Sequence, residues 1–146
     1  MTSSFKIHLR PNERIYINGA VVRVDRRVSL EFLNNVTFLL ENHVMQETDA
    51  KTPIRQLYFV VQSIIIDPQT APLAQQLFVS SMLVLRQTVK DPAIASKLGE
   101  VEALVQGGRP FEALKTIRGL IPLEDEYLRS QTEDRLTVRQ HEPEVA

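Results

Sequence analysis

Apolar and polar residues alternate with a period of two at the start of this chain, and with a period near 3.6 after Met45. Phe5, Ile7 and Leu9 alternate with Lys6, His8 and Arg10, the pattern of a strand with one covered face. A Pro11-Asn12-Glu13 turn follows, then Ile15-Tyr16-Ile17 and Ala20-Val21-Val22-Arg23-Val24 on either side of Asn18-Gly19. Asn-Gly between two β-branched runs predicts a hairpin, because a type I′ turn needs positive φ at both central residues. Residues 28–41 fit two periods. Val28, Leu30 and Phe32, then Val36, Phe38 and Leu40, predict a second hairpin closed by Asn34-Asn35, whereas Phe32, Val36, Leu39 and Leu40 also fit a helical stripe. Strands are preferred, on the number of β-branched and aromatic residues.

Helix punctuation dominates the remainder. Thr52-Pro53 is an N-cap followed by proline, and predicts a helix from Pro53 to about Ile66, stopped before Pro68. A second helix should run from Pro72 to about Lys90, and a third from Asp91-Pro92 to Gly107-Gly108. A short last helix should begin at Pro110 and end at Pro122. Short loops between these helices imply antiparallel neighbours. The expectation is therefore an α+β fold. An N-terminal antiparallel hairpin segment forms a small sheet over residues 1–48, and a bundle of about four helices over residues 49–128 packs on it as one compact unit. Residues 129–146, polar with scattered apolar positions, should form a mobile, disordered tail.

Charge divides the chain as the pattern does. Residues 1–30 carry Lys6, Arg10, Arg14, Arg23, Arg26 and Arg27 against Glu13 and Asp25, six basic and two acidic groups, or +4. The other 116 residues hold 11 basic and 16 acidic groups, or −5. Such asymmetry points to an anionic partner for the first segment, although arginines on solvated strand faces are an equally ordinary reading. No apolar run reaches the roughly 20 residues of a membrane span, and the first residues lack the pattern of a secretory signal, so a cytoplasmic location is expected.

Templates for catalysis fit poorly. The chain has no cysteine, its three histidines (His8, His43, His141) are far apart, and Gly107-Gly108 lacks the context of a phosphate loop. The expectation is a binding protein without enzymatic activity, metal or cofactor. Arg14, Tyr16, Arg23, Arg26 and Arg27 are the candidate RNA-binding residues. Arg14 and Tyr16 should project from the strand face opposite Ile15 and Ile17, offering charge for phosphates and a flat ring for a base. A tyrosine half-covering the edge of the core explains Tyr16 as well. In the helical part, Leu57, Tyr58, Val61, Ile64 and Ile65 form a wide apolar stripe, which makes this helix either central in the bundle or shared with a partner.

The run PNERIYINGAVVRVDRRVSLEFLNNVTFLLENHVMQ, with TPIRQLYFVVQSIIIDP after it, resembles the alphaproteobacterial flagellum biosynthesis repressor family known as FlbT. The resemblance covers about residues 5–122. It implies a post-transcriptional repressor that associates with the 5′ untranslated region of flagellin mRNA and promotes its degradation. It also implies a small flagellar partner protein, FlaF, with the opposite effect. Flagellin itself and a second copy of the chain are further expected partners. The alternative is a protein-interaction module handling flagellin or its secretion chaperone, acting on the message indirectly. The +4 segment serves the first reading, and apolar helix faces serve the second.

Overall fold

The computed structural model describes residues 5–34, 36, 38–67 and 69–141, with the backbone alone over 134–141. Five strands come first: β1 (Phe5–Leu9), β2 (Arg14–Ile17), β3 (Ala20–Arg23), β4 (Val28–Phe32) and β5 (Phe38–Leu40). One-turn 3-10 helices at Glu41–His43 and Glu47–Asp49 lead into α1 (Pro53–Ile66), α2 (Ala71–Thr88), α3 (Pro92–Gln106) and α4 (Pro110–His141). The α+β expectation holds, with a small antiparallel sheet region ahead of four helices.

The β2–β3 hairpin forms as its turn residues dictate: Asn18 and Gly19 take φ of 49° and 84°, the two positive values of a type I′ turn. The second hairpin expected over residues 28–40 does not form. β4 pairs with β1, Phe5 opposite Phe32 and Leu9 opposite Val28, while β5 pairs with β2 in the order β3-β2-β5. Burial explains the separation. In β4 the exposed Ser29 and Glu31 alternate with half-buried Val28, Leu30 and Phe32, so only one face needs cover. In β5 the neighbouring residues Phe38 and Leu39 are both buried, and two covered faces require a place between two cores. Asn35, in the expected turn, lies outside the described residues.

Those two cores meet at β2 and β5. Ile7, Leu9, Ile15 and Phe38 close a small core between the sheets. Leu39, with Tyr16 packed beside it, faces the larger helical core of α1–α4. α1 is central, packed against α2 and α4, and α3 packs on α4. Ile54, Leu57, Tyr58, Val61 and Ile65 are buried along α1, which settles its stripe as a bundle-core face.

Helix ends follow their capping chemistry. The Thr52 side chain accepts from the Arg55 N–H and Asp91 accepts from that of Ala93. Gly108, at φ of 73°, lets Arg109 N–H reach back to the Leu104 carbonyl and end α3. Pro122, expected to end the last helix, instead lies inside α4. A proline within a helix costs about 3 kcal/mol, and tertiary contacts on both sides offset it. Leu120 is buried before it; after it, Glu124 and Asp125 engage α1. The Glu124 carboxylate accepts from the Ile54 N–H at 2.9 Å, and Asp125 takes both guanidinium arms of Arg55 at 2.6 and 2.8 Å. Helical backbone thus covers residues 129–141 of the segment expected as a tail, with residues 129–133 exposed, while 142–146 lie outside the described residues.

Candidate nucleic-acid interface

The hairpin register sets Arg14 directly opposite Arg23. Like charges in facing positions of a ladder destabilise a sheet, and both residues are exposed. Glu41 accepts a hydrogen bond from the backbone N–H of Arg14 at 3.1 Å, and among the described residues no carboxylate pairs with either guanidinium. Arg27, exposed between β3 and β4, likewise has no ion pair among the described residues.

Arg26, the remaining basic candidate, is engaged, as is Arg10 of the same segment. Arg26 forks onto Asp25, Nε to Oδ1 and one terminal nitrogen to Oδ2, each at 3.0 Å. This contact holds the Asp25 carboxyl below the usual carboxylate range and raises the Arg26 guanidinium further. Glu13 holds Arg10, accepting its backbone N–H at 2.9 Å with the guanidinium 4.0 Å away. Tyr16 projects from the face opposite Ile15, as its position in the strand requires, but that face is the helical side. Its ring is half-buried beside Leu39, its cross-strand neighbour. Of the five candidates, then, Arg14 and Arg23 share one surface without a carboxylate partner among the described residues, Arg27 lies beyond the end of β3, Arg26 is neutralised by its neighbour, and Tyr16 is committed in part to the core.

A second cationic and aromatic feature escaped the reading of the sequence. A recess of about 330 Å³ opens between the sheets and α4, with Phe5, Phe32, Phe38 and Phe111 among its walls and Lys115 and Arg118 at its rim. Phe38 is the hub of these rings, with centroids 4.9 Å from Phe32, 5.2 Å from Phe111 and 5.6 Å from Phe5. The Lys115 ammonium stands 4.9 Å above the Phe111 ring. His43, also in the wall, has its pKa lowered by burial first, then by the charges of Arg118 and Lys115. Phe111, Lys115 and Arg118 follow the i, i+4, i+7 spacing of one helix stripe, the one sequence signal that could have drawn attention to them. Nothing local links that stripe to Phe5 or Phe32. Among the described residues, no group of three or more His, Asp or Glu side chains could hold a metal ion, and no helix is long and apolar enough to cross a membrane.

The family model described as "Flagellar protein FlbT" matches residues 5–128. The chain belongs to the FlbT family. It is 50% identical, over its whole length and 98% of the relative's, to a protein of Allorhizobium ampelinum named "Probable flagellum biosynthesis repressor protein FlbT". A protein of the same name from Rhizobium etli is 49% identical with equal coverage. A third, from Mesorhizobium japonicum, is 50% identical over 85% of this chain and 84% of its own. No solved structure matches. The FlbT match takes in both sheets, α1–α3 and α4 as far as Leu128, so the arginine hairpin and the phenylalanine recess both lie within it.

Proposed function

We propose that this FlbT-family chain represses flagellum biosynthesis after transcription, by binding the 5′ untranslated region of flagellin mRNA and promoting degradation of the message. The observation that carries this reading is the facing pair Arg14 and Arg23, exposed and without a carboxylate partner among the described residues. Two guanidiniums in register are an unfavourable pair in the free protein, and a phosphate between or across them turns the repulsion into two charge-assisted contacts. Arg27 extends the same positive surface. Phe5, half-exposed at the mouth of the recess, offers a flat face to an unstacked base, and Lys115 and Arg118 are cations for the adjoining backbone. The name of the relatives supports the repressor role in flagellum biosynthesis. Occupation of a leader by the protein excludes ribosomes from it, and an untranslated message is left open to nucleases.

Binding of the full chain to a flagellin leader RNA across a salt series tests this reading. Three arginines on phosphates give log Kd a dependence on log salt of about 2, from roughly 0.7 per phosphate on single strands. The R14E/R23E variant should lose leader binding and derepress a flagellin reporter that carries the leader. R26E should do much less, because Arg26 is already paired. Phe5→Ala should weaken binding by about 1–3 kcal/mol if a base stacks there. Full affinity in R14E/R23E would remove the hairpin from the function.

A further inference from the structure

The phenylalanine recess joins uncovered ring area to cations that lack counter-ions. Around the buried hub Phe38, the rings of Phe32 and Phe111 are half-buried and that of Phe5 is exposed. Lys115 and Arg118, one turn apart on α4, have no carboxylate partner among the described residues. Glu112, the acidic group nearest to them in sequence, is taken by Arg109. Arg118 is held without being neutralised. Its guanidinium donates to the Tyr58 hydroxyl at 3.4 Å, and that hydroxyl donates in turn to the His43 carbonyl. A cation oriented by a neutral group keeps its full charge for a ligand. His43, in the same wall, registers that charge, since burial and then Arg118 and Lys115 lower its pKa.

We infer that the recess holds one nucleoside monophosphate unit, its base against the phenylalanine rings and its phosphate on Lys115 and Arg118. The inference deepens the RNA-binding reading and rests on it for the strand that supplies the nucleotide. The cavity of about 330 Å³ lies near the lower end of small-molecule sites, about 300–1,000 Å³, which suits one unit and not a run of them. A bare phosphate leaves the rings uncovered, and an uncharged apolar group leaves two cations facing it. A base with its phosphate answers both, since every base has a face to stack and every unit of the backbone brings a charge. Two neighbours favour a nucleotide over a peptide carboxylate. The exposed Asn34 amide in the wall both donates and accepts, as the edge of a base requires. Glu41, which accepts from the Arg14 N–H, opens the one-turn helix that carries His43, so the recess wall continues into the strand end that bears the exposed Arg14.

Adenosine 5′-monophosphate titrated into the full chain and followed by NMR should saturate, whereas ribose 5-phosphate and inorganic phosphate at the same concentration should not. K115Q/R118Q should weaken the mononucleotide about tenfold or more, the scale of losing charged hydrogen-bond donors. Phe32→Leu, which removes a ring and keeps an apolar side chain, should weaken it as well, and helical circular dichroism checks that both variants are folded. R14E/R23E should bind the mononucleotide as the unmodified chain does, which separates the recess from the hairpin. A parallel loss of flagellin leader affinity in K115Q/R118Q identifies the nucleotide as a unit of the RNA, and unchanged leader affinity identifies it as a free mononucleotide. Three results would overturn the inference: no saturation by adenosine 5′-monophosphate, equal binding of ribose 5-phosphate, or equal binding of N-acetylphenylalanine. The second makes the recess a plain anion site and the third a site for a peptide carboxylate. Leader binding lost in R14E/R23E would in each case keep the RNA reading standing on the hairpin alone.

Discussion

The buried amide of Gln62 holds the chain where it enters α1. Its Oε1 accepts from the Met45 N–H at 2.6 Å and its Nε2 donates to the Met45 carbonyl at 2.8 Å, which satisfies both backbone groups of a residue in no regular element. Gln62→Ala should cost about 1–3 kcal/mol for each Met45 group left without a partner, measurable as a lower urea midpoint. His43, two residues earlier, gives the fold a pH dependence. Burial and the neighbouring Arg118 and Lys115 lower its folded pKa below the ordinary value near 6.5. On acidification the unfolded chain therefore takes up this proton first, so the contribution to stability is full above about pH 6.5 and is lost as pH falls through the folded pKa. Thermal midpoints recorded across that interval should fall less steeply for His43→Gln. Neither residue declared its role in the sequence. Gln62 interrupts an apolar stripe and His43 precedes one, and the groups that explain them lie 17 residues back and on the last helix.

At the scale of elements, local signals were legible and pairings were not. Asn18-Gly19, Thr52-Pro53, Asp91-Pro92 and Gly107-Gly108 each act within a few residues, and each did what its chemistry dictates. Strand partners are chosen by which faces find cover. The two buried neighbours Phe38 and Leu39 were visible, but the second core that separates β5 from β4 was not. Pro122 failed as a stop signal for a related reason, since long-range anchors hold α4 on both sides of it. The same anchors yield a prediction. Glu124→Ala removes the carboxylate that accepts from Ile54 N–H at the first turn of α1, and should destabilise the fold by about 1.5–3 kcal/mol, the usual loss for a hydrogen bond to a charged group. Denaturant unfolding should show the loss as a lower midpoint with an unchanged slope.

The whole molecule is two cores joined through a shared central sheet, with β2 and β5 covered on both sides. The family match over residues 5–128 takes in both of these cores. Residues 129–133 of α4 are exposed, so truncation after Leu128 should shift the thermal midpoint by no more than a few degrees, as calorimetry would register. The basic hairpin was legible in the sequence as a charge count. Its division into free and engaged arginines depended on register and on which carboxylates lie near, and the phenylalanine recess depended on a fold that brings Phe5 to Phe38 and Phe38 to Phe111. The bond from Ile54 N–H to Glu124 also bears on how the protein is made. Its two ends are 70 residues apart, and chains leave the ribosome N-terminus first at about 5–20 residues per second. The first turn of α1 consequently waits on the order of ten seconds for its acceptor, with Leu57 and Val61 lacking the cover of α4 throughout. A nascent chain of this protein is thus most open to chaperones, and to its own aggregation, in the interval before its last helix is complete.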